Sequence, residues 1–367
     1  MKIKINEAKC IDCKKCYKVC PMMKEYSSSP KLLMKQMINN ENSNNEIAYS
    51  CMLCGICKQE CPKDIDLKDM FYEMRKDLFN NKNKKLIPKG YNTVKFHQIN
   101  SFSPLFSNNI NSINTKTVFL PGCSLTSYSS EIVQKTFEYL KEYINDISLL
   151  VKCCGKPTEA MGDMRKFEKY YSNLEKIFED DNITEVIVAC PNCFSTIKKY
   201  SNNIKVTSIW EIINKYKVPK ELINYYDNLE FEFTLHDPCP MRNEDKVHND
   251  VREILKSLGL KIEEFEKNRE SSECCGSGGM VRVTSPSISK AQTIKRASEA
   301  KTDTVISYCE SCCEAMLIAN KKSLHILDFL FNEEVINKKK FTQNKTSTLN
   351  KWSERHKGTK INKSGRK

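Results

Sequence analysis

Nineteen cysteines stand in 367 residues, and their spacing is where chemistry could begin. Eight fall in two runs, Cys10-x2-Cys13-x2-Cys16-x3-Cys20-Pro21 and Cys51-x2-Cys54-x2-Cys57-x3-Cys61-Pro62. Three thiols so closely placed let one loop wrap a corner of a [4Fe-4S] cubane, while the fourth, ahead of proline, leaves in a new direction and ligates the other cluster. Cys10, Cys13, Cys16 and Cys61 are therefore expected to hold one cubane, and Cys51, Cys54, Cys57 and Cys20 the other. Structural zinc also takes four thiolates, but its modules present separated C-x2-C pairs, which two unbroken triplets followed by C-P do not fit.

Ten more cysteines recur in one order. Cys123, then Cys153-Cys154-Gly155, then Cys190-x-x-Cys193 is echoed by Cys239, then Cys274-Cys275-Gly276, then Cys309-x-x-Cys312, at offsets of 116, 121 and 119 residues. Adjacent cysteines do not readily form an unstrained disulfide, yet both thiolates can reach one polynuclear metal site. Gly155 and Gly276 permit a tight turn and close approach of backbone to a bound group. Five thiols exceed what zinc or an ordinary cubane needs. Cys313 is left over, aligned with Phe194 of the first repeat, and is read as a packed free thiol.

Something must bring these thiols together. Short apolar runs at Thr117–Leu120, 147–151, 185–189 and 206–209 alternate with amphipathic stretches, and 231–235, 261–265, 304–307 and 324–327 repeat the plan, the pattern of stacked βαβ units. Ile132, Val133, Phe137, Leu140 and Ile144 share a helical face, as do Phe167, Tyr170, Tyr171, Leu174 and Phe178, and Val251, Ile254, Leu255 and Leu258. In open α/β sheets ligands bind beyond the carboxyl ends of strands, where the repeated cysteines would lie. In the head, Leu32, Leu33, Gln36, Met37 and Ile38, and Leu67, Met70, Phe71 and Met74, point to helices.

The boundaries read as a cluster-binding head (1–80), an Asn/Lys-rich linker (81–116), two repeats (117–226 and 227–335) and a basic tail (336–367) expected to be disordered for want of apolar residues. From 337 to 367 there are 11 Lys or Arg against the single acid Glu354, a net of +10, which leaves +3 of the total +13 for the rest. That locates the charge in the tail, so nucleic-acid binding is not expected. The first residues, MKIKINEAKCIDCKKC, have no apolar signal core, and no run approaches the 18 apolar residues of a membrane span. An odd number of cysteines in such a chain points to a reducing, cytoplasmic setting and to metal or redox chemistry.

Residues of other kinds earn little. Asp237, in His236-Asp237-Pro238 before Cys239, reads as a turn or cap rather than an acid catalyst. His97, His248, His325 and His356 have no spacing partner. Gly276-Ser277-Gly278-Gly279 is similar to a phosphate loop but lacks a lysine partner, and is read as shaping the cluster pocket.

Taken together, C, a gap, CCG, a gap and CxxC, twice, resembles the CCG, or cysteine-rich, domain family, with gaps of 29 and 35 residues in the first copy and 34 and 33 in the second. The family includes the B-type and D-type polypeptides of heterodisulfide reductase, the iron-sulfur subunits of anaerobic glycerol-3-phosphate dehydrogenase and glycolate oxidase, and a lactate-utilisation protein. The resemblance covers about residues 5–330 and implies an α+β multidomain fold: an α-helical ferredoxin-like domain followed by two pseudo-symmetric Rossmann-like α/β CCG domains. It further implies up to two noncubane [4Fe-4S] clusters, one on Cys123, Cys153, Cys154, Cys190 and Cys193, the other on Cys239, Cys274, Cys275, Cys309 and Cys312, with Gly155 and Gly276 beside them.

The function so implied is that of an iron-sulfur oxidoreductase or a subunit of one. It would pass electrons between two cubanes and the noncubane pair and reduce a disulfide as heterodisulfide reductase does. The alternative is an electron-transfer subunit of a flavin-dependent hydroxy-acid or glycerol-3-phosphate dehydrogenase. With no flavin or nicotinamide fingerprint, the redox partner is expected to be a flavoprotein or ferredoxin, which could also bring the chain to a membrane surface.

Overall fold

The computed structural model describes residues 2–39, 46–80, 87–110 and 115–361. Every regular element described in the head is a helix: Lys2–Lys9, Lys15–Val19, Pro21–Tyr26, Pro30–Ile38, Glu46–Ser50, Ile56–Gln59 and Leu67–Asn80. Pro21 and Pro30 open their helices, where a missing N–H costs nothing, and the Ser29 hydroxyl accepts from the Leu32 N–H at 3.1 Å. Met22, Met23, Leu33, Met34, Met70 and Phe71 bury against one another and make the head's core.

Beyond the head, β1 (Thr117–Leu120), β2 (Ile147–Leu149), β3 (Glu185–Val188) and β4 (Lys205–Ser208) form a parallel sheet in the order β2-β1-β3-β4. A second parallel sheet of β5 (Phe233–His236), β6 (Ile262–Glu264), β7 (Thr304–Ser307) and β8 (Lys322–His325) runs β6-β5-β7-β8, the same order. Helices cover both, so the central strands are buried and mostly apolar, as parallel sheets require: Val118, Phe119, Leu120, Val186 and Ile187 in one, Phe233, Leu235, Val305 and Ile306 in the other, with Thr234, His236 and Ser307 among the buried polar exceptions. The faces read from periodicity are the buried ones. Ile132, Val133, Phe137 and Leu140 pack from helix Ser130–Tyr143, and Phe167, Tyr171, Leu174 and Phe178 from Met164–Asp180, while Tyr170 and Ile144 are only partly buried. In each sheet the chain leaves the first strand to one side and returns to the other, so the crevice of an open α/β sheet opens between the carboxyl ends of β1 and β3 and of β5 and β7. Among the described residues no helix is long and apolar enough to cross a membrane.

The linker carries structure of its own, and the expectation of a disordered tail needs correction. The linker contains a helix, Tyr91–Ser101, and Asn108 brackets Val151 through paired bonds, N–H to Val151 O at 3.1 Å and Oδ1 from Val151 N–H at 2.6 Å. Its buried face is Tyr91, Val94, Gln98 and Ser101, half of it polar, so no apolar period announced it. Residues 81–86 and 111–114 lie outside the described residues.

The tail is also ordered up to residue 361. Phe341 packs on Phe233 and Phe329, the Gln343 N–H bonds Ser323 O at 2.9 Å, and Thr348–Gly358 is a helix capped by the Ser347 hydroxyl. Its Arg355, 1% exposed, donates to Ser101 Oγ (2.8 Å), Ser101 O (3.1 Å) and Phe106 O (3.2 Å). Trp352 lies against Phe106 and His97, and Glu354 accepts from the Ser130 N–H and hydroxyl. Counting apolar residues missed it because charged side chains with fully paired donors do the anchoring. Residues 362–367 lie outside the described residues. Deleting 337–367 is accordingly expected to destabilise the protein by about 3 kcal/mol or more, from the lost burial of Phe341 and Trp352 and from exposed partners of Arg355. An unchanged thermal melt on truncation would show instead that the segment rides on the surface.

Candidate metal centres

The two cysteine loops of the head turn by one device. Residues two and four places past the first cysteine, Asp12 and Lys14 in one run and Leu53 and Gly55 in the other, adopt left-handed φ of 53°, 59°, 51° and 78°. Such turns curl the backbone round a point and aim alternate groups at it. One cavity is lined by Cys10, Cys13, Cys16 and Cys61, together with Cys57. The other is lined by Cys20, Cys51, Cys54 and Cys57, together with Cys274. Each run thus sends its last cysteine to the other's cavity. Burial pushes Cys16 and Cys20 up to about 12 and Cys51 to about 11, so protons must leave as a metal enters.

In the first repeat Cys123 touches Cys153, Cys154 touches Cys193 and Cys193 touches Cys190, with the adjacent pair Cys153 and Cys154 joining the two ends. The second repeats this order: Cys239, Cys274, Cys275, Cys312, Cys309. The glycines after the double cysteines have φ of 76° and 95°, and their N–H groups donate to sulfur, Gly155 to Cys153 at 3.4 Å and Gly276 to Cys274 at 3.3 Å. At Gly276 a Cβ would sit 2.2 Å from Thr293 Oγ1, so no other residue fits. Hydrogen bonds from Cys153 and Cys193 pull Cys154 below the ordinary thiol range despite burial, and those from Cys274 and Cys312 do the same for Cys275.

The centres adjoin one another. Cys54 of the head is in hydrogen-bond contact with Cys274. Gly278 and Gly279 let the intervening loop lie on the backbone of Met52 and Cys51, whose carbonyl oxygens a Cβ would strike at 2.3 Å and 2.5 Å respectively. That loop is a seal between centres and not a phosphate cradle. Ser124, next to Cys123, approaches Ser311, between Cys309 and Cys312, at 3.3 Å, which sets the two repeat centres side by side. The linker and C-terminal helices flank the first one, with the Gln98 amide donating to Cys153 Sγ at 3.5 Å. An all-sulfur donor set, four thiols per head cavity and five per repeat, fits iron-sulfur clusters.

Residues 9–66 match a 4Fe-4S dicluster domain, and residues 117–198 and 233–317 each match the cysteine-rich domain. The chain carries an iron-sulfur dicluster domain and two cysteine-rich domains. An uncharacterised iron-sulfur protein of Methanococcus maripaludis is 28% identical over 83% of this chain and 66% of its own length. One of the polypeptides of a fumarate reductase (CoM/CoB) of Methanothermobacter marburgensis is 25% identical over 88% of this chain and 68% of its own. One polypeptide of the dihydromethanophenazine:CoB–CoM heterodisulfide reductase of Methanosarcina acetivorans is 24% identical over 72% and 71%. This iron-sulfur protein therefore spans about two thirds, 66%, of the length of the first of these relatives.

Cys313 is not among the thiols gathered at the centres. Its Sγ, fully buried, donates to Leu324 O at 3.2 Å, into the sheet. Asp237 accepts from Arg252 (2.8 Å), the Arg269 N–H (2.8 Å) and the Tyr308 hydroxyl (2.9 Å); burial would raise it, yet Arg252 keeps it below the usual carboxylate range, so it is an anchor and not an acid. Sequence reasoning missed Arg75, His236, Gly122 and Gln98. Gly122, with φ of 85°, could have been flagged by its place before Cys123, because a Cβ there would meet Cys190 Cβ at 2.4 Å.

Cys61→Ala is expected to remove the signal of the cluster on Cys10, Cys13 and Cys16 and spare the one on Cys51, Cys54 and Cys57, with Cys20→Ala doing the reverse. Electron paramagnetic resonance of the reduced variants reads this directly. Loss of the cluster nearest in sequence in each case would reverse the assignment.

Proposed function

We propose that this chain is an iron-sulfur oxidoreductase subunit that takes single electrons from a flavoprotein or ferredoxin and delivers them in pairs to a disulfide. The observation that carries the reading is the unbroken adjacency of thiol sets, from the Cys10 cavity through shared Cys57 to the Cys51 cavity, across Cys54 and Cys274 to the second repeat, and past Ser311 and Ser124 to the first. Clusters bound in these sets would supply the one-electron steps, as cubanes in the head and as noncubane [4Fe-4S] clusters on the five-thiol sets. The chain's own part is to hold the sulfurs, to exclude water by burying Cys153, Cys154, Cys274 and Cys275, and to set the repeat centres side by side. We read the repeats as pseudo-symmetric, Rossmann-like halves; the shared strand order and shared order of thiol contacts support this.

In the reaction the S–S bond of the substrate breaks, two electrons arrive from the redox partner and two protons from solvent, and two thiols leave. The relatives named for heterodisulfide reduction and for a fumarate reductase (CoM/CoB) support a role as one subunit of a larger redox complex. The test is anaerobic: the loaded chain should hold about 16 iron atoms, four clusters of four, and reduce a small mixed disulfide with reduced viologen. Iron near eight would confine clusters to the head. Full loading with no disulfide reduction, but with electron exchange with a co-purifying flavin dehydrogenase, would make it a conduit.

A further inference from the structure

At the end of β5 stands His236, fully buried, one of whose ring nitrogens lies with Cys275 Sγ and Cys312 Sγ in a group whose members are all within 4.8 Å of one another. Its Nδ1 faces the Arg296 Nε–H at 3.3 Å, while Nε2 has no oxygen or nitrogen partner and the ring lies against the Cys275 thiol. Arg296 is itself fixed. Its guanidinium stacks on Phe265 at 3.6 Å and donates to Lys267 O at 2.8 Å and Glu299 at 3.0 Å. A guanidinium N–H can only donate, so Nδ1 must accept, and the proton of the neutral imidazole is left on Nε2. A nitrogen carrying its proton cannot ligate a metal, but it can donate. A buried donor with no oxygen or nitrogen partner, beside two thiols, has sulfur for its acceptor.

We infer that His236 Nε2–H donates a hydrogen bond to sulfur at the second repeat centre, with Cys275 the nearest thiolate, and so tunes that centre apart from the first. The inference rests on the proposed occupancy of that site by an iron-sulfur cluster. At the matching strand position the first repeat has no counterpart: the last residue of β1 is Leu120, an apolar side chain that cannot donate. The donor there is the Gln98 amide on Cys153, a different sulfur of the set. A donor to sulfur favours the reduced, more negative cluster and raises its potential. The centre touching Cys54 is thereby made a better electron acceptor than its ligands alone would make it. His236 is a positioning residue for electrons and touches no substrate.

The test begins with the wild-type holoprotein, labelled with 15N-histidine. The second repeat centre is the signal lost in Cys275→Ser. If wild-type protein shows no such signal, the cluster reading fails and not the role of the histidine within it. If the signal is present, pulsed electron resonance should find a weak 15N coupling, transmitted through a hydrogen bond. A strong coupling, from direct ligation, or no coupling overturns the inference. In His236→Leu, which restores the side chain of the first repeat, the one-electron reduction equilibrium of this centre should fall about tenfold, or about 59 mV, with the first centre unmoved. His236→Gln, whose amide can still donate, should recover part of the shift. Equal shifts in both centres, or none in His236→Leu, overturn it as well.

Discussion

Arg75→Leu is expected to destabilise the folded chain by about 3–5 kcal/mol, the largest single-residue effect outside the cysteines. Arg75 is completely buried, and its donors end on four carbonyls from three parts of the chain: Ala48 at 2.8 Å and Cys51 at 2.5 Å in the head, Ala160 at 2.6 Å in the first repeat, and Gly279 at 2.7 Å in the second. Burial lowers its pKa from the usual value, and Cys51, Tyr49 and Glu159 offset this only in part, so the cost of holding a cation there is met largely by oxygen dipoles and the Tyr49 ring 5.1 Å away. Leucine fills the space and leaves the carbonyls bare. Urea titration measures the loss, and Arg75→Lys should fall between, because an ammonium cannot reach four diverging acceptors at once. A variant of wild-type stability would mean the three parts hold together without this residue.

The second large effect separates two neighbouring thiols. Cys275→Ser should lower the proposed disulfide reduction more than 100-fold, about 2.7 kcal/mol or more, while the head clusters keep their signals. Cys275 is the middle of its five-thiol series, in contact with Cys274 and Cys312, so its loss breaks the set at the centre. Cys313→Ser should change the rate by less than about twofold, because the Leu324 carbonyl that takes the thiol proton can take a hydroxyl proton equally well. Activity measured with reduced viologen decides between them. Loss of activity in Cys313→Ser with Cys275→Ser unimpaired would mean the ligand set of the second repeat is misassigned.

Spacing made the thiols legible because covalent sequence distance is itself the geometry of a short loop: three cysteines two residues apart have nowhere to go but round one point. The strands were legible for a related reason. A parallel strand covered on both faces is a continuous apolar run, and Thr117–Leu120 and Thr304–Ser307 match their apolar runs to the residue. What stayed hidden was the work of polar side chains over long sequence distances. Arg75 sits on the same helix as Met70 and Phe71, where a helical wheel marks it as a charged residue on the buried face, but its acceptors are up to 204 residues away. His236 carried a signal only by contrast with Leu120 across the repeat. The C-terminal helix is held by Arg355 and Glu354, residues that hydropathy counts as evidence for solvent.

That helix has a consequence in time. Synthesis delivers the chain from its amino end, and the last of the nineteen cysteines, Cys313, is made well before Thr348–Gly358. The helix then closes over the Tyr91–Ser101 helix and the start of the segment after Cys123, through Arg355 on Ser101 and Gly358 on Thr126. All nineteen cysteine thiols are thus on the nascent chain while one flank of the first repeat centre is still open. Iron delivery can precede closure, and a chain halted near residue 340 would carry every ligand and still lack its final brace.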